Sequence, residues 1–165
     1  MLGSVWMKKL YIIRHTQKDE TKSGDDYDKP LTQDGLDNAD AIGTFLKEKD
    51  KKFDLIVSSP AKRTRQTSEA IAQKLNYTKS IMYNEVLYMA YVNEMIETIT
   101  YTFDTVNSMI LVAHNPSVTA LALTLVGLRE EIKMGGVVEI DFDCDSWIDV
   151  SKDNAKLIDY TVPSK

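Results

Sequence analysis

The chain has 165 residues, 43% of them hydrophobic and 27% charged, with a formal net charge of −5. That is material for one core of ordinary size, and an acidic balance argues against nonspecific nucleic-acid binding, which needs a basic footprint. The one cysteine, Cys144, excludes an intrachain disulfide and a cysteine-rich zinc site, and no apolar run approaches the roughly 18 residues of a membrane span.

The expected molecule is a cytoplasmic monomer with a single domain over residues 7–165. Residues 1–6 precede Met7-Lys8-Lys9 and are expected to be an N-terminal extension or a cloning remnant. Leu10-Tyr11-Ile12-Ile13 reads as a short buried strand. Thr16 to Asp28 is polar and charged, hence a loop. Thr32 is suited to cap a helix running to about Lys49, with Leu36, Ala39, Gly43 and Leu46 on one stripe.

Leu55-Ile56-Val57 is a second strand. Ser59-Pro60 gives the pattern of a cap followed by proline at the first helical position, opening a helix to about Leu75. A third strand is expected from Ser80 to Tyr83, and a helix from Tyr91 to about Asp104. Met109 to Ala113 is the clearest strand. Asn115-Pro116 repeats the cap-then-proline pattern before a helix to about Val126 that is apolar nearly all round, so it should be buried. Gly135-Gly136 marks a turn. Val137 to Phe142 and Lys156 to Tyr160 are expected to close the sheet antiparallel to the rest. Alternating strands and helices imply an α/β fold, a mainly parallel sheet with helices on both faces.

The only two histidines each follow a strand: Arg14-His15 after Ile13, and His114 after Ala113. Ligands in open α/β sheets bind beyond the carboxyl ends of the strands. Both histidines should therefore sit on the functional rim, provided the two strands are adjacent and parallel. Arg63 falls in the first turn of the helix after the second strand. A cation opposes the macrodipole there, which makes sense if Arg63 and the helix terminus share one anion.

Two guanidinium forks and two imidazoles suit phosphoryl chemistry. Imidazole can serve as nucleophile, general acid or hydrogen-bond donor. Histidines flanked by arginines make a poor dication site, so no metal and no cofactor is expected. There is no Walker loop, Rossmann fingerprint or nucleophile elbow.

At these residues the chain resembles the histidine phosphatase, or phosphoglycerate mutase-like, superfamily. The resemblance is carried in order by Arg14-His15-Thr16, by Lys29-Pro30-Leu31-Thr32-Gln33-Asp34-Gly35, by Ser58-Ser59-Pro60-Ala61-Lys62-Arg63-Thr64-Arg65-Gln66-Thr67, and by Val112-Ala113-His114-Asn115. It implies a three-layer sandwich with a mostly parallel central sheet. It also implies that His15 is the nucleophile, with Arg14, Arg63 and His114 around the phosphoryl group.

Small size and short connections resemble the SixA branch of phosphohistidine phosphatases, whose open pocket suits a phosphorylated side chain on a partner protein. The family's glycine after the nucleophile is Thr16 here. Glu85 is the nearest candidate for the mutase-type general acid, although the sequence that usually follows it is missing. The alternatives are a small phosphorylated molecule as substrate of a phosphomonoesterase or mutase, and a phosphate-binding module without turnover. No nucleic-acid or membrane partner is expected.

Overall fold

The computed structural model describes residues 7–49 and 52–165; the readings for residues 1–6 lie outside the described residues. The elements are β1 (Met7–Arg14), α1 (Gln33–Lys49), β2 (Leu55–Ser58), α2 (Lys62–Lys74), β3 (Met82–Tyr83), α3 (Val92–Thr100), β4 (Ser108–Ala113), α4 (Ser117–Val126), β5 (Val137–Asp143) and β6 (Ala155–Thr161). They form one sheet in the order β3-β2-β4-β1-β5-β6. β3, β2, β4 and β1 pair in parallel. β5 and β6 close it antiparallel, as the sequence implies. No helix among the described residues is long and apolar enough to cross a membrane.

Side chains alternate across a strand, so each strand supplies both faces. On one face Leu10, Ile12, Met109 and Leu111 pack with Met95 and Ile99 of α3 and Val118, Leu121 and Leu125 of α4. On the other, Tyr11, Ile13, Ile56, Ile110 and Val112 pack with Ile42 and Leu46 of α1 and Ile71 of α2. Burial on both faces explains why β1 and β4 read as unbroken apolar runs. Every β4 side chain is buried.

Several boundaries differ from the sequence reading. α2 begins at Lys62, and Ser59 does not cap it. The first helical bond runs from Arg65 N–H to the Ala61 carbonyl at 2.8 Å. α4 begins at Ser117, although Asn115 Oδ1 still accepts from the Thr119 amide at 3.3 Å. It is not enclosed all round, since Leu123 is exposed. β3 and α3 are shorter than expected. Thr32 behaves as read, its hydroxyl oxygen accepting from Gly35 N–H at 3.0 Å.

The glycine turn before β5 does more than reverse the chain. Gly135 has φ +78°, a left-handed conformation that glycine tolerates. Its N–H donates to the Arg14 and His15 carbonyls at 3.0 and 2.9 Å, and Arg14 N–H donates to the Gly136 carbonyl at 3.1 Å. The turn therefore holds the backbone at the end of β1. A Cβ on Gly136 would lie 2.9 Å from Ile132 Cγ2, the Lys133 carbonyl and Tyr160 Cε1. Gly136→Ala should destabilise the fold by about 1–3 kcal/mol through overpacking. Chemical denaturation checks this, and an unchanged midpoint would contradict it.

Candidate active site

β1 and β4 pair with Arg14 opposite Ala113. One residue further on, His15 N–H donates to the Ala113 carbonyl at 3.2 Å. The two histidines thus leave adjacent parallel strands at one level. Their ring centroids are 5.3 Å apart, with planes inclined by 56°. The adjacency required by the sequence argument is present.

Nδ1 of His15 lies 2.7 Å from the Thr16 carbonyl oxygen. A carbonyl only accepts, so Nδ1 carries the proton and Nε2 carries the lone pair. Thr16, in the place of the family's glycine, needs no left-handed backbone. Its Oγ1 donates to the Gly35 carbonyl at 2.7 Å, and its N–H donates to Thr67 Oγ1 at 3.3 Å. A threonine is thereby accommodated by tying the β1 loop to α1 and α2.

The guanidinium groups are held at their outer nitrogens. Arg14 Nη1 donates to the Ile132 carbonyl at 2.9 Å. Arg63, in the first turn of α2, donates from Nη1 to the Asp26 carbonyl at 2.8 Å and from Nη2 to Asp26 Oδ2 at 2.9 Å. Asp26 Oδ1 accepts from Lys18 Nζ, and Oδ2 also accepts from the Tyr88 hydroxyl, both at 2.9 Å. One anion beside Arg63 is thus a carboxylate of the acidic loop, Asp26. Hydrogen bonds from Lys18, Tyr88 and Arg63 hold the Asp26 carboxyl far below the usual carboxylate range.

Against this, three inner nitrogens have no partner. Arg14 Nε, Arg63 Nε and His114 Nδ1 are buried without a hydrogen bond. Buried polar groups are almost always paired, so these three nitrogens are exceptions. His15 and His114 are each 5% exposed and Arg63 6%. Burial first, then Arg63, Arg14 and Lys18, brings the His15 pKa down to about 4, against the Thr16 bond. Burial, then His15, Arg63 and Lys18, brings His114 to about 3, and Asp26 opposes. Both rings are neutral at physiological pH.

Glu85 was the candidate general acid. It is exposed, in a 3-10 turn at Glu85–Met89, and Oε1 accepts from the Tyr27 hydroxyl at 3.2 Å. The Tyr27 ring meets Tyr88 edge-on at 4.9 Å, and Tyr88 meets His114 edge-on at 5.6 Å. A chain of contacts, Glu85 to Tyr27 to Tyr88 to His114, thus links Glu85 with the second imidazole. Sequence reasoning missed Asp26, Lys18 and Tyr88, and the hold of the Gly135 turn on the Arg14 and His15 carbonyls. None of these had a distinguishing signal in the sequence; Asp26 is one of several acids in the loop ahead of Lys29. Among the described residues, no group of three or more histidine, cysteine or acidic side chains is placed to hold a metal ion.

Comparison with known proteins agrees with this geometry. An uncharacterised protein of Mycobacterium tuberculosis is 26% identical over 162 residues, covering 92% of this chain and 99% of its own. SixA of Nakamurella multipartitia, described as a phosphohistidine phosphatase, matches with a TM-score of 0.84 at 25% identity, over 95% of this chain and 96% of that one. SixA of Agrobacterium tumefaciens, described likewise, matches at 0.81 and 26% identity, over 94% and 98%. The model of the histidine phosphatase superfamily, branch 1, matches residues 10–94, just over half of the chain. With its phosphoglycerate mutase-like sheet and the motifs of that segment, the chain belongs to the histidine phosphatase superfamily, branch 1.

Proposed function

We propose that the chain is a metal-independent phosphatase that acts through a phosphohistidine intermediate on His15 and dephosphorylates phosphohistidine on a partner protein. One observation carries the chemistry. The unpartnered donors of Arg14, Arg63 and His114 gather beside a neutral imidazole whose Nε2 lone pair is free.

In the first step Nε2 attacks phosphorus. The bond from phosphorus to the leaving group breaks, and the leaving group keeps the electron pair. Phosphorylation at Nε2 with Nδ1 still protonated makes the ring cationic, and the Thr16 carbonyl at 2.7 Å stabilises that charge. Arg14, Arg63 and His114 bind the equatorial oxygens, where fixed donors stabilise the transition state without reorganising. Water then attacks phosphorus, the bond from phosphorus to Nε2 breaks, and inorganic phosphate leaves with His15 restored.

The substrate reading rests on the leaving group. Glu85 is bonded to Tyr27 and to none of the four central residues. An imidazole leaving group needs less acid assistance than an alkoxide, so this site suits phosphohistidine better than a sugar phosphate. The resemblance to SixA proteins described as phosphohistidine phosphatases supports the same substrate.

Quenched reactions with a labelled phosphodonor should trap an acid-labile, base-stable label on the wild type and none on His15→Ala. Turnover by that variant should fall at least about a thousandfold. Activity should survive chelation of divalent ions, and a phosphohistidine protein should be turned over faster than sugar phosphates. Undiminished turnover by His15→Ala would contradict the scheme.

The chain has two histidines, so an NMR titration reads both directly. Midpoints should lie near 4 and 3, below the ordinary 6.5. The folded pKa values are depressed, so these groups favour folding above pH 6.5. Their contribution falls away as the pH is lowered from there toward 4. A midpoint above 6 for either ring would contradict the assignment.

A further inference from the structure

Ser59 reads in sequence as a helix cap, yet its hydroxyl faces the second imidazole. Oγ lies 2.8 Å from Nε2 of His114, and both residues are buried. The same oxygen accepts the Ala61 backbone N–H at 3.4 Å. The serine is itself fixed: its N–H donates to the Val112 carbonyl at 3.0 Å, and its carbonyl accepts from Thr64 Oγ1 at 2.8 Å.

The direction of the bond to His114 follows from counting donors. A hydroxyl has one proton and can accept as well. The Ala61 amide only donates, so it cannot take that proton. If Nε2 of His114 also donated, the Ser59 proton would be buried with no acceptor. If Nε2 accepts, every group is satisfied, and the imidazole proton sits on Nδ1. That nitrogen is the one left without a partner.

We infer that Ser59 is a positioning residue for phosphoryl transfer: its hydroxyl donates to Nε2 of His114, holds the ring in the Nδ1–H tautomer and presents that N–H to a phosphoryl oxygen. The inference rests on the phosphatase reading of the site. It also explains how two identical side chains take opposite roles. His15 and His114 carry the proton on the same nitrogen. His15 is held at its N–H by an acceptor, the Thr16 carbonyl, which leaves a lone pair free for attack. His114 is held at its lone pair by a donor, which leaves an N–H free for binding. Without the serine hydroxyl nothing holds the proton on Nδ1. The tautomer with the proton on Nε2 would then turn a lone pair toward the phosphoryl oxygen.

The test uses the full chain labelled with nitrogen-15, with orthovanadate as the anion probe. In the wild type, His114 should show a protonated Nδ1 and an unprotonated Nε2. The reverse pattern overturns the inference without any variant. Ser59→Ala should shift the ring toward Nε2–H and weaken vanadate binding about 10- to 100-fold, with kcat/KM falling at least as far. Ser59→Thr, which keeps the hydroxyl, should restore the tautomer and the binding. A folded Ser59→Ala that binds vanadate like the wild type overturns the inference. Should Ser59→Ala fail to fold, the wild-type spectrum and Ser59→Thr decide. A wild type that turns over no phosphodonor, but shows the expected tautomer and vanadate response, removes the phosphatase reading and leaves the role of Ser59 in placing the anion.

Discussion

Parallel pairing of β1 with β4, Arg14 opposite Ala113, sets the two histidines side by side, and the pairing of β2 with β4 brings the α2 start that carries Arg63 to the same edge. Strands β1 and β4 are buried on both faces, so their apolar side chains pin the register. A slip of one residue would send each side chain to the opposite face of the sheet. It would also separate imidazoles that now stand 5.3 Å apart. The core is therefore a condition of the chemistry: Leu10 to Ile13 and Met109 to Ala113 bury themselves, and their carboxyl ends have to emerge side by side.

On that frame the electrostatics follow from where each charged group is anchored. Arg14 and Arg63 are held by outer nitrogens, on the Ile132 carbonyl and on Asp26, and their Nε atoms remain unpartnered. Cations gather here although the chain as a whole is acidic. Asp26 offsets part of that charge from the side, bonded to Arg63, Lys18 and Tyr88 together. Burial beside fixed cations keeps both imidazoles neutral, as the proposed attack by His15 and donation by His114 require.

Much of this was legible in the sequence, for identifiable reasons. Buried strands announce themselves as apolar runs, and β1, β2 and β4 each lead to a residue with chemistry: Arg14-His15, Arg63 and His114. Thr32 capped as its residue type and spacing imply. Other features depend on partners distant along the chain. Ser59-Pro60 looks like a helix start, but the serine hydroxyl is engaged by an imidazole from β4, 55 residues away. Asp26 was one acid among several in a polar loop, and its contact with Arg63 spans 37 residues. The Gly135 turn was read correctly as a turn, while its grip on the Arg14 and His15 carbonyls needed the tertiary structure. Glu85 was singled out by its place after the third strand, and the structure joins it to His114 only through the successive contacts of Tyr27 and Tyr88.

The central claim is geometric: Arg14, His15, Arg63 and His114 enclose a space that takes one phosphoryl group. A crystal structure with bound tungstate tests it most directly. The anion should accept hydrogen bonds from both arginines and from Nδ1 of His114, with Nε2 of His15 pointing at the central atom. An anion bound elsewhere, or one that meets the arginines while Nε2 of His15 points away, would contradict the account.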